Sequence, residues 1–234
     1  MSLADYQYEM ENCSRCSHCK FVPWPVMQSH RFAYGCPSIS KFNFHAYSSS
    51  GRIEMAMALH SGRIEEWTEE MLNAVFRCQL CGACQVACRP NNFLLVDIEE
   101  IMVELRMRAI EAGQMLPEHS LMIESMKKED NVFGEPKSDR GKWAEGLELK
   151  DLNQGQAEVL FHAGCRYSYW EDQWPVVRGA AQLLQRAGVD VGIFGATESC
   201  CGGRAYELGF KGELQNFADD MRRSEEHTSE LQSR

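Results

Sequence analysis

The spacing of the cysteines constrains the fold of this 234-residue chain more than any other feature of its sequence. Eight of the eleven cysteines form two arrays, each with three thiols spaced by two residues and a fourth farther away. The first array is Cys13, Cys16, Cys19 and Cys36, and the second is Cys78, Cys81, Cys84 and Cys88. An odd number of thiols cannot all pair, and a reducing compartment opposes disulfides. The spacing therefore favours metal ligation.

Both arrays, "CSRCSHC" and "CQLCGACQVAC", resemble the bacterial ferredoxin signature. In that signature three closely spaced thiolates bind one 4Fe-4S cluster, and the fourth cysteine of each run binds the other cluster. The resemblance implies one cluster on Cys13, Cys16, Cys19 and Cys88, and another on Cys78, Cys81, Cys84 and Cys36. Zinc is the alternative, although zinc sites usually use separate CxxC pairs. His18, inside the first array, is either a hydrogen-bond donor to that site or an exposed side chain.

Sixteen residues separate Cys19 from Cys36, which departs from compact ferredoxins. Residues 51–62 and 65–78 predict short helices before the second array, and residues 96–112 predict a longer one. The longer helix follows from apolar residues at helical spacing, with Gly113 as its stop. Pro117 begins another predicted helix, to about Lys128. We therefore predict a helical dicluster ferredoxin-like domain over residues 1–128, like those in iron-sulfur subunits of respiratory enzymes.

Residues 129–155 are rich in charge, glycine and turn residues, and they predict a linker. After the linker, "AEVLFHAG" and "VDVGIFG" predict strands on either side of the helical sequence "WPVVRGAAQLLQRAG". A right-handed crossover makes such strands parallel and places the loops after both strands at the same edge of the sheet. Cys165 lies in the first of these loops, and Cys200 and Cys201 lie in the second. The sequence therefore predicts that the three cysteines meet.

The segments "HAGCR" and "ESCCGG" resemble the first part of the cysteine-rich CCG domain. That domain occurs in heterodisulfide reductase catalytic subunits and in iron-sulfur subunits of glycolate and lactate oxidising systems. Here 34 residues separate Cys165 from Cys200, which fits the family. The resemblance implies a third cluster, 4Fe-4S or noncubane, on the catalytic residues Cys165, Cys200 and Cys201. Gly202 and Gly203 allow the backbone to approach it closely.

The predicted fold class is therefore α+β multidomain, with the helical dicluster domain followed by a partial α/β (βαβ) CCG domain over residues 156–222. A vicinal disulfide, or two buried thiols, is the alternative for Cys200 and Cys201. Arg166 and Arg204 are candidates to offset thiolate charge or meet an acidic substrate. His162, at the end of a strand, is either a core residue or a proton donor.

The closing CxxC of the CCG pattern is absent from this chain. Arg223 to Ser233 resemble the conceptual translation of a sequencing adapter. We therefore expect residues 223–234 to be an adapter-derived tail, and the real protein to continue past Arg222 into the missing CxxC. The alternative is a degenerate family member that has lost the third cluster.

The net charge is -10 and there is no stripe of lysine or arginine, so nucleic acid and anionic lipid are poor partners. The sequence has neither an apolar run long enough for a transmembrane segment nor a signal peptide at its start. We expect a cytoplasmic protein that reaches a membrane, if at all, through a partner. Nucleotide-binding and Ser/His/Asp motifs are missing, which leaves flavin, nicotinamide or ATP to partner chains.

These features predict an iron-sulfur oxidoreductase subunit of the heterodisulfide reductase type. It would relay electrons through two 4Fe-4S clusters to a CCG-bound cluster that reduces or oxidises a disulfide-, quinone- or 2-hydroxy-acid-linked partner. The expected partner is a flavoprotein or a reductase subunit, with a quinone-linked partner at a membrane as a further candidate. The alternative is an electron-transfer protein without its own substrate, which serves a flavoprotein or an acyl-CoA or benzoyl-CoA reductase system. A structural or sensing protein would not need three sites in series.

Overall fold

The computed structural model describes residues 2–88 and 96–226, without the side chains of Trp24 and of residues 222–226. The chain divides into two compact units. Unit 1 comprises Met1–Leu116 and Tyr206–Phe210, and unit 2 comprises Pro117–Ala205 and Lys211–Arg234. The first division thus falls near residue 117, earlier than the boundary at residue 128 that the sequence predicts. None of the helices in the described part of the chain is long and apolar enough to cross a membrane.

Unit 1 is built from helices joined by short turns. Its α-helices are α1 Gln7–Glu11, α2 Pro37–Phe42, α3 Ser49–His60, α4 Glu69–Phe76, α5 Ala83–Cys88 and α6 Ile98–Glu111. Short 3-10 helices lie at Leu3–Tyr6, His18–Lys20, Trp24–Val26, His30–Phe32 and His45–Tyr47. The side chains of Ser48 and Thr68 accept hydrogen bonds from backbone N–H groups in the first turns of α3 and α4, which fixes where these helices begin.

The core of unit 1 lies between α3 and α6. All five apolar residues of the predicted stripe on α6 are at most 2% exposed, which confirms a helix there: Ile98, Ile101, Met102, Leu105 and Ala109. Ile53, Ala56 and Leu59 of α3 pack into the same core. Several cysteines of the two arrays border it, among them Cys13, Cys78, Cys84 and Cys88. The cysteine loops are therefore supported by close-packed apolar side chains.

The sixteen residues between Cys19 and Cys36 close on themselves. Phe21 and Tyr34 form an antiparallel bridge, and the N–H groups of Gly35 and Cys36 both donate to the carbonyl of Lys20. The loop therefore ends beside the point where it began. Cys36 is held beside Lys20 although sixteen residues separate it from Cys19 in the sequence. In this way the chain accommodates an insertion that compact ferredoxins lack.

Unit 2 contains a small parallel sheet. Its elements are α7 Pro117–Glu129, β1 Lys150–Asp151, β2 Val159–Leu160, α8 Gly164–Tyr169, α9 Trp174–Arg186 and β3 Val191–Ile193, with 3-10 helices at Lys137–Ala144, Glu171–Gln173 and Gly195–Thr197. Two further helices follow in the described residues, α10 Gly203–Glu207 and α11 Lys211–Glu226. The strand order is β1-β3-β2, and Val159 pairs with Val191. The parallel pairing of β2 with β3 across α9 confirms the predicted strand-helix-strand unit, whereas β1 is a strand that the sequence did not predict.

Residues 129–155 are more ordered than their composition predicts. Asn131, Arg140 and Trp143 are at most 2% exposed. Trp143 packs with Ala163 and Val177, and Asn131 bonds to backbone groups on either side of its own turn. The polar side chains of this segment are buried because each finds a partner.

The predicted adapter-derived tail falls largely outside the described residues. Residues 223–226 continue the backbone of α11, and residues 227–234 are not among those described.

Candidate metal centres

The first cavity of unit 1 brings together four cysteines. Cys13, Cys16, Cys19 and Cys88 line it, with apolar walls from Ile53, Val96 and Ile98. The loop that carries the first three winds tightly, because Arg15 and Ser17, on either side of Cys16, both adopt positive φ angles, 56° and 67°. Cys88 is the last residue of α5 and belongs to the second array.

The second cavity of unit 1 has the same construction. Cys36, Cys78, Cys81 and Cys84 line it, together with Arg52 and Met102. Leu80 and Gly82, on either side of Cys81, again have positive φ angles, 48° and 69°. Each cavity thus takes three cysteines from one array and one from the other.

Several polar atoms around these cavities have no hydrogen-bond partner in the part of the chain that the structure describes. Ser49 Oγ, Arg52 Nη2 and His18 Nδ1 are buried and make no hydrogen bond within the described residues. Ser49 lines both cavities, Arg52 lines the second and His18 lines the first. His18 is thus half-buried at the cavity wall instead of pointing into solvent. Buried polar groups are normally satisfied, so these atoms indicate that a polar group belongs in each cavity.

Burial raises the pKa of two of the thiols. The pKa of Cys84 rises to about 12, first because of burial and then because of the neighbouring Cys78. Burial also raises the pKa of Cys13. Such thiols ionise when a metal binds them, because the positive charge of the metal stabilises the thiolate. Four thiol donors and an apolar wall are the donor set and surroundings that a 4Fe-4S cluster uses in proteins, so the residues fit this group.

No three His, Cys, Asp or Glu side chains in residues 2–88 and 96–226 are arranged to hold a single metal ion.

Unit 2 contains a third group of cysteines. Cys165 lies at the start of α8, just after β2, and Cys200 and Cys201 follow β3. The Sγ atoms of Cys165 and Cys200 are 3.8 Å apart, as the strand-helix-strand prediction requires. Cys200 is 2% exposed, whereas Cys201 is exposed. The sheet therefore presents one buried and one accessible thiol at the same edge.

A buried ion pair supports this third site, and sequence reasoning missed it. Arg140 Nε lies 2.9 Å from Glu198 Oε1, and the two side chains are 1% and 5% exposed. Glu198 also accepts hydrogen bonds from the N–H groups of Ala163 and Gly164, directly before Cys165. Arg140 Nη2 is 3.5 Å from Cys165 Sγ. The arginine beside the thiol is thus Arg140, whereas Arg166 is exposed and lies over the Trp170 ring.

The backbone around the vicinal pair is held in place by neighbouring groups. The N–H of Cys200 donates to Asp130 Oδ1 at 2.9 Å, and Asp130 Oδ2 pairs with Lys137. Gly202 has a φ of +72°, and a Cβ atom there would lie 2.7 Å from Cβ of Phe217. Gly202 is therefore required for both its conformation and its lack of a side chain. A Cβ on Gly203 would make only an ordinary 3.6 Å contact with Cys201 Sγ.

The thiols of this site have opposite acid-base properties. The hydrogen bond with Cys165, followed by the one with Cys201, raises the pKa of Cys200. The interaction with Cys200, followed by that with His162, lowers the pKa of Cys201 to about 3, and the interaction with Cys200 lowers the pKa of Cys165 to about 6. Burial favours the neutral ring of His162, but Cys201 and the nearby Glu198 carboxylate raise its pKa. Cys200 is therefore the least acidic of the three thiols, and Cys165 and Cys201 are the more acidic ones.

Residues 9–92 match the family model of the 4Fe-4S dicluster domain. All eight cysteines of the two arrays lie within this range. This match supports iron-sulfur electron transfer as the role of these residues. The matched range ends before α6, and it leaves unit 2 outside the match.

A curated relative extends the similarity. The chain is 26% identical over 141 residues to the EtfAB:quinone oxidoreductase of Syntrophomonas wolfei subsp. wolfei. That alignment spans 58% of this chain but only 19% of the relative. No solved structure matches the chain. Together, the domain match and the relative support an iron-sulfur protein of the oxidoreductase type.

Proposed function

We propose that this chain is the electron-relay part of an iron-sulfur oxidoreductase. It takes electrons from a redox partner protein and passes them through two 4Fe-4S sites to a third site at Cys165, Cys200 and Cys201. The observation that carries the proposal is the composition of the two cavities in unit 1. Each is lined by four cysteines, and each draws three from one array and one from the other.

In this proposal the first site is held by Cys13, Cys16, Cys19 and Cys88, and the second by Cys36, Cys78, Cys81 and Cys84. A bound cluster of this kind supplies one-electron chemistry, at a potential set by ligands, burial and hydrogen bonds. The protein supplies the rest. Ile53 and Ile98 give the first cavity apolar walls, and Met102 does so for the second. Helix α3 begins at Ser49, which lines both cavities. The positive end of the dipole of this helix therefore lies at both cavities and favours an anionic group there.

In this proposal Cys165, Cys200 and Cys201 are ligands of a cluster at the third site. Support comes from the 3.8 Å separation of Cys165 and Cys200 and from the positive charge of Arg140 beside Cys165. The accessible Cys201 suits a site that exchanges electrons with a substrate or partner, which a buried relay site would not need.

The partners are proposed from the relative. Its name pairs EtfAB with quinone. We propose that EtfAB is the class of donor that reduces this chain and that quinone is the final acceptor. A disulfide or a 2-hydroxy acid at the third site is the competing assignment from the CCG resemblance.

The ligand sets can be tested one cysteine at a time. Anaerobically purified protein should contain about eight irons for the two clusters of unit 1. Cys36→Ser and Cys81→Ser should remove or alter the same signal in the low-temperature EPR spectrum of the reduced protein, and Cys16→Ser and Cys88→Ser should alter the other signal. Cys165→Ser is the control, because it leaves both signals unchanged. A preparation that contains zinc and gives no EPR signal on reduction would refute the proposal.

The direction of electron flow needs a separate experiment. Reduced EtfAB should bleach the visible absorbance of the wild-type protein, and a quinone analogue should restore it. A disulfide or a 2-hydroxy acid that exchanges electrons with the protein while the quinone analogue does not would favour the competing assignment.

A further inference from the structure

Arg52 is a buried cation in the wall of the second cavity. It lies on α3, and its residue is 1% exposed. Its Nε donates to the carbonyl of Ala74 at 2.7 Å, whereas its Nη2 is buried without a hydrogen-bond partner. In the described part of the chain it forms no ion pair with a carboxylate. A guanidinium in this position is costly unless a negative group lies beside it.

The second cavity supplies such a group only when its thiols are ionised. Cys36, Cys78, Cys81 and Cys84 line the same cavity as Arg52. Four thiolates around one iron-sulfur group leave the loaded site with a net negative charge. The Arg52 guanidinium, which has no carboxylate partner within the described residues, and the four thiols are therefore complementary in charge.

The charges on the wall of the first cavity are different. Arg15 lines it, but the Arg15 side chain is 52% exposed and is paired with Glu54. Water screens the interaction between two charges much more strongly than the interior of a protein does. An exposed, paired arginine is thus screened, whereas Arg52 is not. Glu99 also lines the second cavity, but it is exposed.

A second buried arginine strengthens this difference. Arg106 is 4% exposed, and its Nη2 donates to the carbonyl of Cys78. Its guanidinium also lies over the ring of Phe76. Arg106 does not line the second cavity, but its contact with the backbone of Cys78 places a second buried positive charge near this site.

We propose that Arg52 raises the reduction potential of the second site above that of the first, so that an electron in unit 1 resides in the second site. This inference rests on the proposed function. Arrival of one electron from the partner protein adds one negative charge to the site, and no bond forms and no proton moves. A fixed, buried positive charge stabilises the reduced form more than the oxidised form. Arg52 thus acts as a positioning residue for charge and is not itself a ligand.

The test is a redox titration of both sites, followed by EPR, in matched variants. Arg52→Gln and Arg52→Met remove the charge, and the Gln side chain can still donate a hydrogen bond to Ala74. Each should lower the reduced-to-oxidised ratio of the second site at least tenfold at a fixed ambient potential. For a one-electron couple this is a fall of about 59 mV in the reduction potential of that site. The other site should move less. Arg52→Lys should retain most of the wild-type potential, and Arg15→Gln, an exposed charge change of equal size, should shift neither site by that amount.

The outcomes separate this inference from the proposed function. Wild-type protein without iron-sulfur signals would refute the proposed function itself. Neutral Arg52 variants with full iron content and two unchanged potentials would overturn only the role of Arg52. An equal fall in Arg52→Lys would also overturn it, because packing and not charge would then set the potential. The EPR signal whose potential changes is assigned to the second site if that signal is lost in the Cys81→Ser variant.

Discussion

Removing one partner of the Arg140–Glu198 pair should strongly destabilise unit 2. The two charged atoms are 2.9 Å apart, and both side chains are at least 95% buried. Arg140→Met leaves the Glu198 carboxylate buried without its counter-ion, and breaking a buried pair in this way costs about 3–5 kcal/mol. Glu198→Gln should cost a similar amount, because the Arg140 guanidinium then lacks its charge partner. The N–H groups of Ala163 and Gly164 donate to different oxygens of Glu198. The single amide oxygen introduced by Glu198→Gln can keep only one of these bonds, so the loss combines the missing charge with one missing hydrogen bond.

The double variant separates the pair from its surroundings. Arg140→Met with Glu198→Gln leaves no buried charge, so its cost should be smaller than the sum of the two single costs by at least about 1 kcal/mol. Urea unfolding followed by tryptophan fluorescence is a suitable assay, since Trp143, Trp170 and Trp174 all lie in unit 2. Single variants that each lose less than about 1 kcal/mol, or strictly additive costs, would refute the argument. Lys142→Met, which removes an exposed cation from the same segment, is the matched control and should cost less than about 1 kcal/mol.

Two further predictions concern the vicinal cysteines. Gly202→Ala should destabilise unit 2 by about 2 kcal/mol or more, because φ at this position is positive and the new Cβ would contact Phe217 too closely. Gly203→Ala is the control and should have little effect. Equal losses of unfolding free energy in urea would contradict this prediction. In iron-free protein, iodoacetamide should alkylate Cys201 at nearly the same rate at pH 6 and pH 8, because its pKa is lowered to about 3 and it is already a thiolate. His162→Gln should raise that pKa and slow the reaction at pH 6 more than at pH 8, as peptide mass spectrometry would measure; a tenfold rise per pH unit in the wild-type protein would argue against a lowered pKa.

The sequence predicted those features that depend on periodic burial or on cysteine spacing. The stripe on α6 and the parallel pairing of β2 with β3 both follow from runs of apolar residues, and the structure contains both. Arg140 left no such signal. It is 58 residues from Glu198 in sequence and lies in a segment whose charges and glycines are typical of a linker. Whether a single charged residue is buried depends on a distant partner, and hydrophobic periodicity carries no information about that partner.

Arg52 was missed for the same reason. It lies on a helix whose position was predicted, and a charged residue on a helix is normally assigned to the solvent face. The strand β1 was missed because it has only two residues, Lys150 and Asp151, and neither is apolar. Its partner β3 contains the apolar residues of this pair, and β3 corresponds to a strand that the sequence predicted.

Ser49 lines both cavities of unit 1, and each cavity contains cysteines from both arrays. The two sites therefore cannot be inherited or engineered as separate modules. A fragment that ends between Cys36 and Cys78 would hold three thiols of one site and one thiol of the other, and so complete neither. Duplication of a single array, or exchange of one array with a relative, would in the same way disturb both sites at once.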